Sequence, residues 1–258
     1  MTQEIAGGHL TTSHEHGITT IEFSHPQSNS LPGAMLNAIA LQVHAEGLNE
    51  KTKVIVLRSG GEKAFCAGAS FDELMSIQNE AEGFQFFNGF AHLINDMRKC
   101  PKLIIARVQG KCVGGGVGIA AAADYTIAVE GADIKLSELG LGIGPFVVGP
   151  AVERKIGLSA FSQLAIDAAS WRPADWARRK GLYAELHNDV AGMDDSITRL
   201  STTLSHYSPE AMKNIKDIFW KGTEHWDNLL KERARTSGTL ILGEYSRNYI
   251  AQFKNKQK

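Results

Sequence analysis

Glu138 stands in a stretch of apolar residues and glycines, Ile134–Pro145, which we call segment C. A carboxyl group in such surroundings loses its hydration, and that loss raises its pKa toward neutrality. A group with a pKa near neutrality can accept a proton and return it during a reaction. A lone glutamate in an apolar stretch is more often exposed or capping a helix, so segment C alone indicates an acid or base without establishing one.

Two segments rich in small residues each follow a run of residues typical of a buried strand. Segment A is residues 63–72 and contains Gly68, and segment B is residues 109–118 and contains glycines at 114–116. A glycine-rich turn that opens a helix presents N–H donors at the positive end of the helix dipole. Such donors can bind a phosphate or stabilise an oxyanion. Segment B matches neither common nucleotide-binding glycine pattern, and close helix–strand packing would also explain its small residues.

The elements that must position these segments alternate along the chain. Short apolar runs predict strands buried on both faces of a parallel sheet, and the stretches between them have helical character. This alternation predicts right-handed β–α units and therefore an α/β fold. The predicted strands are two within residues 9–23 and one each at 54–57, 103–108 and 125–129, and the predicted helices are 32–48, 82–98 and 116–123.

Strand patterns fade after Pro150, and helical patterns replace them. Residues 151–169 and 173–181 are predicted to be helical, and Ser208 followed by Pro209 is a typical helix start. We therefore divide the chain into an α/β core of residues 1–200 and a C-terminal helical region of residues 201–258.

Composition excludes several classes of protein. The 258 residues carry 27 basic and 28 acidic side chains, so no broad positive field is available to hold nucleic acid or an anionic membrane. No apolar run has the length of a membrane span, and the N-terminus lacks the pattern of a signal peptide. The 3 cysteines are too few for a disulfide framework, and no cluster with metal-ligand spacing is present. We expect a cytoplasmic globular protein.

Segments A, B and C, in this order and spacing, resemble the crotonase family of enoyl-CoA hydratases and isomerases. Asn29-Ser30-Leu31 resembles the family's N-A-L turn, and Trp171–Leu182 resembles its late A-x-x-A-x-x-x-G-L stretch. The resemblance implies the crotonase-like (ClpP/crotonase) fold, a ββα spiral followed by a helical region that forms trimers or hexamers. It also implies an acyl-CoA thioester as the substrate, with no nucleic-acid or membrane partner and no metal or redox cofactor.

The resemblance further implies roles for individual residues. Glu138 falls on the second of the two glutamate positions of family hydratases, and the backbone N–H groups of Ala67 and Gly115 would form the oxyanion hole for the thioester oxygen. Other positions would line the substrate path: Ala64, Gly68, Ala69 and Phe71 beside the pantetheine, and Val117, Gly118, Pro145 and Phe146 around the acyl group.

Two departures from the family pattern affect the predicted function. Gly118 replaces the first glutamate, which leaves Glu138 as the single carboxylate and is expected to leave room for a branched or bulkier acyl group. Ser70 replaces an aspartate that many members carry, so a charge near the CoA is lost.

One carboxylate can still serve in more than one reaction. It can take a proton from water and deliver it to the α-carbon, which is hydration, or it can move a proton between the α- and γ-carbons, which is isomerisation. Residues 136–150 look like the bacterial methylglutaconyl-CoA hydratase branch, so we favour a hydratase. An enoyl-CoA isomerase, a thioester hydrolase or retro-Claisen enzyme, and a non-catalytic acyl-CoA binder remain alternatives.

Overall fold

The computed structural model describes residues 1–256, which form two sheets and ten α-helices. The strands are β1 (Thr2–Ile5), β2 (Gly8–Glu15), β3 (Ile18–Ser24), β4 (Val54–Ser59), β5 (Ala64–Cys66), β6 (Leu103–Val108), β7 (Lys111–Val113), β8 (Tyr125–Val129), β9 (Ile134–Lys135) and β10 (Glu185–His187). The helices are α1 (Gly33–Leu48), α2 (Phe71–Ser76), α3 (Glu80–Lys99), α4 (Gly115–Ala122), α5 (Gly149–Ile166), α6 (Ala174–Lys180), α7 (Val190–Ser205), α8 (Pro209–Phe219), α9 (Trp226–Leu240) and α10 (Glu244–Lys256). None of the described helices is long and apolar enough to cross a membrane.

The larger sheet has seven strands in the order β1-β2-β3-β4-β6-β8-β10. The first three form an antiparallel meander, and the pairs from β3 onward are parallel. Ile104, Ile105 and Ala106 of β6, which pairs with a parallel strand on each side, are buried, as expected for a parallel strand that is covered on both faces. The predicted α/β fold with parallel units is confirmed.

A second sheet, which the sequence patterns did not predict, consists of three short parallel strands in the order β5-β7-β9. Each strand has only two or three residues, too few to show a periodic pattern. Strand β5 lies in segment A, β7 in segment B and β9 in segment C. Because parallel strands end at the same edge, this sheet brings the three segments together.

The helical region is joined closely to the α/β core. Helix α9 packs along α3, and a Cβ atom on Gly83 would lie only 2.6 Å from the backbone oxygen of Gly238, so this contact depends on glycine. Arg98 of α3 donates to Asp227 of α9 at 2.9 Å. The predicted boundary between residues 200 and 201 falls inside α7, which continues to Ser205, and residues 257–258 lie outside the described part of the chain.

Candidate functional site

Segment A is held from one side by the loop that precedes α1. The side chain of Asn29 donates hydrogen bonds to the backbone oxygens of Gly60 at 2.7 Å and Ala64 at 2.8 Å. Asn29 itself has a left-handed φ of 57°, a conformation that asparagine tolerates better than most residues. The Asn-Ser-Leu turn noted in the sequence therefore has a positioning role, because it fixes segment A relative to the large sheet.

The loop also decides which backbone amides of segment A are available. The N–H of Ala67 donates to the oxygen of Ser28 at 3.1 Å, and the N–H of Ser70 donates to the oxygen of Leu31 at 3.2 Å. The N–H group of Ala67, predicted to be an oxyanion donor, thus already has a partner, and this geometry does not support the predicted role. The N–H of Ala69 makes no hydrogen bond with any described residue. In this parallel bridge the oxygen of Gly68 and the N–H of Ser70 both bond to Leu31, so the N–H of Ala69 between them faces away from the loop.

Segment B supplies a second available amide. Gly115 is the first residue of α4, where backbone N–H groups have no partner within the helix. Its N–H makes no hydrogen bond to the described residues, whereas the N–H of Gly114 donates to the oxygen of Lys135 at 2.8 Å. A side chain at Gly115 is impossible without rearrangement, because a Cβ atom there would lie 2.1 Å from the ring of Phe90. The availability of Gly115 agrees with its predicted role.

The two available amides lie on segments that touch each other. A Cβ atom on Gly68 would lie 3.7 Å from the backbone nitrogen of Gly115 and 3.1 Å from the oxygen of Val113. Gly68 also has a φ of 92°, which favours glycine. The close approach and the backbone conformation together explain why glycine occupies this position between the two amides.

Glu138 of segment C opens a short 3₁₀ helix, Glu138–Leu141, which follows β9 after Leu136 and Ser137. Although the residue as a whole keeps some solvent exposure, its Oε2 atom is inaccessible and has no hydrogen-bond partner among the described residues. Burial raises the pKa of this carboxyl to about 7, and a hydrogen bond to its own backbone offsets only part of that effect. A carboxyl group with this pKa exchanges protons at neutral pH.

The carboxylate extends over segment B. A Cβ atom on Gly114 would lie 3.1 Å from Oε1 of Glu138, so glycine at this position leaves room for the carboxyl group. Gly114 has a φ of 53° and immediately precedes the free amide of Gly115. The acid–base group and the amide donor are thus on neighbouring parts of the chain.

These groups border one narrow cavity of about 50 Å³. Eight of the predicted site residues line it, namely Ala67, Gly68, Ala69, Phe71, Gly115, Glu138, Pro145 and Phe146. Three do not, namely Ala64, Val117 and Gly118. Ala64 lies in β5, where its backbone oxygen accepts from Asn29, and Val117 and Gly118 are buried in α4.

The space beside Gly118 is filled. A Cβ atom at this position would lie 2.4 Å from Cγ1 of Val148, and Val148 itself lines the cavity. The expectation that Gly118 leaves room for a bulkier acyl group is therefore wrong, because the valine side chain occupies that room.

Ser70, the other departure from the family pattern, has a structural role. Its hydroxyl accepts a hydrogen bond from the N–H of Glu73 at 3.4 Å and caps the N-terminus of α2. Serine is among the preferred residues for this position, so the substitution is compatible with the local fold.

Several lining residues were not found from the sequence. Ser137 could have been noticed because it adjoins Glu138, and Leu74 of α2 because it follows segment A by two residues. Three others come from helices that are distant in the chain, namely Phe87 and Phe90 of α3 and Ser237 of α9. Their positions follow from helix packing, and no local pattern indicates it.

The lining is apolar apart from a few groups. Within the described residues, Glu138 is the one ionisable side chain that lines the cavity, and no lysine, arginine or histidine does so. The cavity thus combines a buried carboxyl group with two backbone donors, and its described lining offers no cation to a charged ligand.

Comparison with known proteins shows the family of the chain. A family model described as enoyl-CoA hydratase/isomerase matches residues 13–246. The short-chain-enoyl-CoA hydratase of Clostridium acetobutylicum is 25% identical over 247 residues, which is 95% of this chain and 94% of that protein. The ethylmalonyl-CoA decarboxylase of Gallus gallus is 29% identical over 86% of this chain and 76% of its own length.

The fold is shared with solved structures. An enoyl-CoA hydratase from Bacillus halodurans superposes with a TM-score of 0.86 at 19% identity, covering 94% of this chain and 99% of that one. Some curated relatives match over only about half of their length, whereas others match over nearly all of it. The match to the family model over residues 13–246 shows that the chain belongs to the enoyl-CoA hydratase/isomerase (crotonase) family.

Proposed function

We propose that this protein is an enoyl-CoA hydratase acting on short, uncharged 2-enoyl thioesters. Glu138 is the acid and base, and the N–H groups of Ala69 and Gly115 form the oxyanion hole. The observation that carries the proposal is the unpartnered, buried Oε2 of Glu138 in the same cavity as the two residues whose amides are free.

The chemistry follows from where charge develops. Adding hydroxide to the β-carbon of a 2-enoyl thioester moves negative charge onto the thioester oxygen and gives an enolate. Two fixed N–H donors stabilise that charge, and losing one such donor costs about 2.7–4 kcal/mol of transition-state stabilisation. The donors of Ala69 and Gly115 belong to the backbone, so they need no reorganisation during the reaction.

Glu138 supplies both proton transfers. Its carboxylate removes a proton from water as the oxygen attacks the β-carbon, and the resulting carboxylic acid then gives a proton to the α-carbon of the enolate. The sum is the addition of one water molecule, and the enzyme returns to its starting state. A single carboxylate therefore suffices, and no metal or redox cofactor is needed.

The cavity supports a short and uncharged acyl group. Its volume of about 50 Å³ is small, and Val148 fills the space next to Gly118. A 3-methylglutaconyl group carries a free carboxylate, and burying it beside Glu138 without a cation would be costly. We therefore favour 2-butenoyl-CoA over 3-methylglutaconyl-CoA as the substrate. The name of the Clostridium acetobutylicum relative supports a short chain.

Double-bond isomerisation is the second candidate, and the presence of Glu138 as the one ionisable group in the described lining favours it. Incubating 2-enoyl, 3-enoyl and 3-methylglutaconyl thioesters with the protein in D2O, followed by mass spectrometry, separates the reactions. Hydration gives a product heavier by one molecule of heavy water. An unchanged formula with deuterium exchange or a moved double bond indicates an isomerase, and no change in any ester refutes both activities.

We further propose that the chain forms a trimer or hexamer in the cytoplasm. Helix α8 supports self-association, because Ile215, Ile218 and Phe219 are all substantially exposed on it. Light scattering is expected to give a mass that is a multiple of three chains, and a monomer would contradict the proposal.

A further inference from the structure

Ser237 is a buried polar residue in the wall of the cavity. It lies on α9, is only 1% exposed and lines the cavity together with Glu138. Its hydroxyl makes no hydrogen bond with any residue in the described part of the chain, although its backbone oxygen accepts from Ile241 at 3.0 Å. The hydroxyl is therefore free to form a hydrogen bond with a molecule that enters the cavity.

Two helical threonines, one of them next to Ser237, show the contrast. Thr203 donates back to the oxygen of Arg199 at 2.8 Å, and Thr236, the neighbour of Ser237, donates to the oxygen of Glu232 at 3.4 Å. This return to the preceding turn is the usual way in which a helical hydroxyl is satisfied. Ser237 makes no such bond, so its hydroxyl is available to a molecule in the cavity.

The position of Ser237 suggests which part of a ligand it meets. The free amides of Ala69 and Gly115 are on segments A and B, whereas Ser237 belongs to the helical wall formed by α3 and α9. With the thioester held by these amides on segments A and B, we place the acyl chain against the other wall, which α3 and α9 form. Glu138 would repel an anion there, and no cation among the described lining residues would offset that repulsion.

We propose that Ser237 is a specificity-determining residue that hydrogen-bonds an uncharged oxygen near the end of the acyl chain. Short acyl-CoA thioesters with a terminal hydroxyl group are then bound more tightly than esters of the same length without one. This inference rests on the proposed function, because it takes the thioester to be held by Ala69 and Gly115.

The test compares two saturated and therefore unreactive ligands, butanoyl-CoA and 4-hydroxybutanoyl-CoA, by titration calorimetry. The wild-type protein is expected to bind the hydroxylated ester about tenfold more tightly, as one well-placed hydrogen bond allows. Ser237→Ala should bring the two dissociation constants close to each other. Ser201→Ala is the matched control, because Ser201 is also a buried helical serine but donates to the oxygen of Thr198, and it should keep the wild-type ratio.

Thermal unfolding of the ligand-free variants gives a second readout. Ser237→Ala removes no hydrogen bond, so its Tm is expected to be equal to or above that of the wild type, whereas Ser201→Ala should lower it. A clear loss of Tm in Ser237→Ala would overturn the inference, since the hydroxyl would then have a partner within the protein.

The outcomes separate this inference from the proposed function. The role of Ser237 is refuted if both esters bind but their dissociation constants are equal in the wild type. It is also refuted if the ratio of the two constants is unchanged in Ser237→Ala. Hydration that depends on Glu138 can still be observed in either case. If neither ester binds, the proposed acyl-CoA function fails and the inference fails with it.

Discussion

Glu46 and Glu138 are both shielded glutamates, and their surroundings are opposite. Glu46 of α1 is 5% exposed and accepts hydrogen bonds from five side chains, namely Thr52 at 2.5 Å, His14, Gln42 and Asn49 at 3.0 Å, and Thr19 at 3.3 Å. Burial by itself would raise its pKa, but hydrogen bonds from Thr52, His14 and Asn49 outweigh that effect and lower the pKa. Oε2 of Glu138 has no hydrogen-bond partner among the described residues, and burial raises the pKa of this carboxyl to about 7.

The difference separates a structural carboxylate from a reactive one. The donors around Glu46 fix it in the ionised form and join α1 to β3 and to the turn before β4. Glu138 borders a cavity, and its unsatisfied oxygen is the feature that a substrate or water molecule could complete. A buried carboxyl group therefore indicates a reactive site when its hydrogen-bonding capacity is unused and a cavity adjoins it.

The largest expected effect is on turnover. Glu138→Gln keeps the shape of the side chain but removes the proton acceptor, so kcat for 2-butenoyl-CoA should fall at least about a thousandfold. Glu46→Gln is the matched control and should change kcat by less than about twofold at a temperature where it remains folded. Equal losses of kcat in the two variants would contradict the assignment of Glu138 as the reactive carboxylate and Glu46 as the structural one.

The next effect concerns the oxyanion hole. Replacing the amide that links Gly68 to Ala69 by an ester removes the N–H of Ala69 and leaves every side chain in place. The expected loss in kcat is about a hundredfold to a thousandfold. The same replacement at Ala67 should chiefly lower stability, because it breaks the hydrogen bond to Ser28. A larger loss of kcat at Ala67 than at Ala69 would restore Ala67 as the donor.

The two glutamates should also affect stability with opposite dependence on pH. The raised pKa of Glu138 means that the folded state holds its proton more tightly than the unfolded chain, so its contribution to stability falls as pH rises from about 4.5 to about 7. As pH rises from 5 to 8, the free energy of unfolding of Glu138→Gln should therefore increase relative to that of the wild type by up to about 3 kcal/mol.

Glu46 has a lowered pKa, so its contribution is present above the unfolded value of 4.5 and is lost as pH falls through the folded value. Glu46→Gln should be less stable than the wild type at pH 7 by about 2 kcal/mol, and this difference should shrink in acid. Chemical denaturation of both variants at several pH values measures these differences in stability. If both differences change with pH in the same direction as their carboxylates ionise, the contrast between Glu46 and Glu138 is refuted.

A smaller effect is expected from Val148, which fills the space beside Gly118. Val148→Ala should open that side of the cavity and raise kcat/KM for 2-hexenoyl-CoA relative to 2-butenoyl-CoA about threefold to tenfold. Val117→Ala is the control, because Val117 is equally buried but does not line the cavity. A similar change of chain-length preference in both variants would show that the effect is indirect.

A feature of the fold or of the site could be predicted from the sequence when neighbouring residues determine it. The parallel strands, the helix that starts after Pro32 and the cap at Ser208 are local patterns, and the structure confirms them. The apolar and glycine-rich surroundings of Glu138 are also local, and they correctly indicated a raised pKa.

Features that depend on packing between distant segments were not predictable. The N–H of Ala67 is engaged because a loop some 40 residues earlier runs beside it, and Val148 fills the space at Gly118 from 30 residues later. Ser237 reaches the cavity because α9 packs on α3 through two facing glycines. No spacing rule within a single segment encodes such contacts.

The most direct test of the role of Glu138 is the pH dependence of kcat/KM for 2-butenoyl-CoA, measured on the wild type beside Glu138→Gln. The carboxylate form is the one that activates water, so the wild-type rate should rise with pH through an apparent pKa near 7 and then level off. In Glu138→Gln the residual rate should show no such rise. A wild-type profile that is flat between pH 5 and pH 8, or a rise near pH 7 that persists in the variant, would contradict the assignment of Glu138 as the catalytic base.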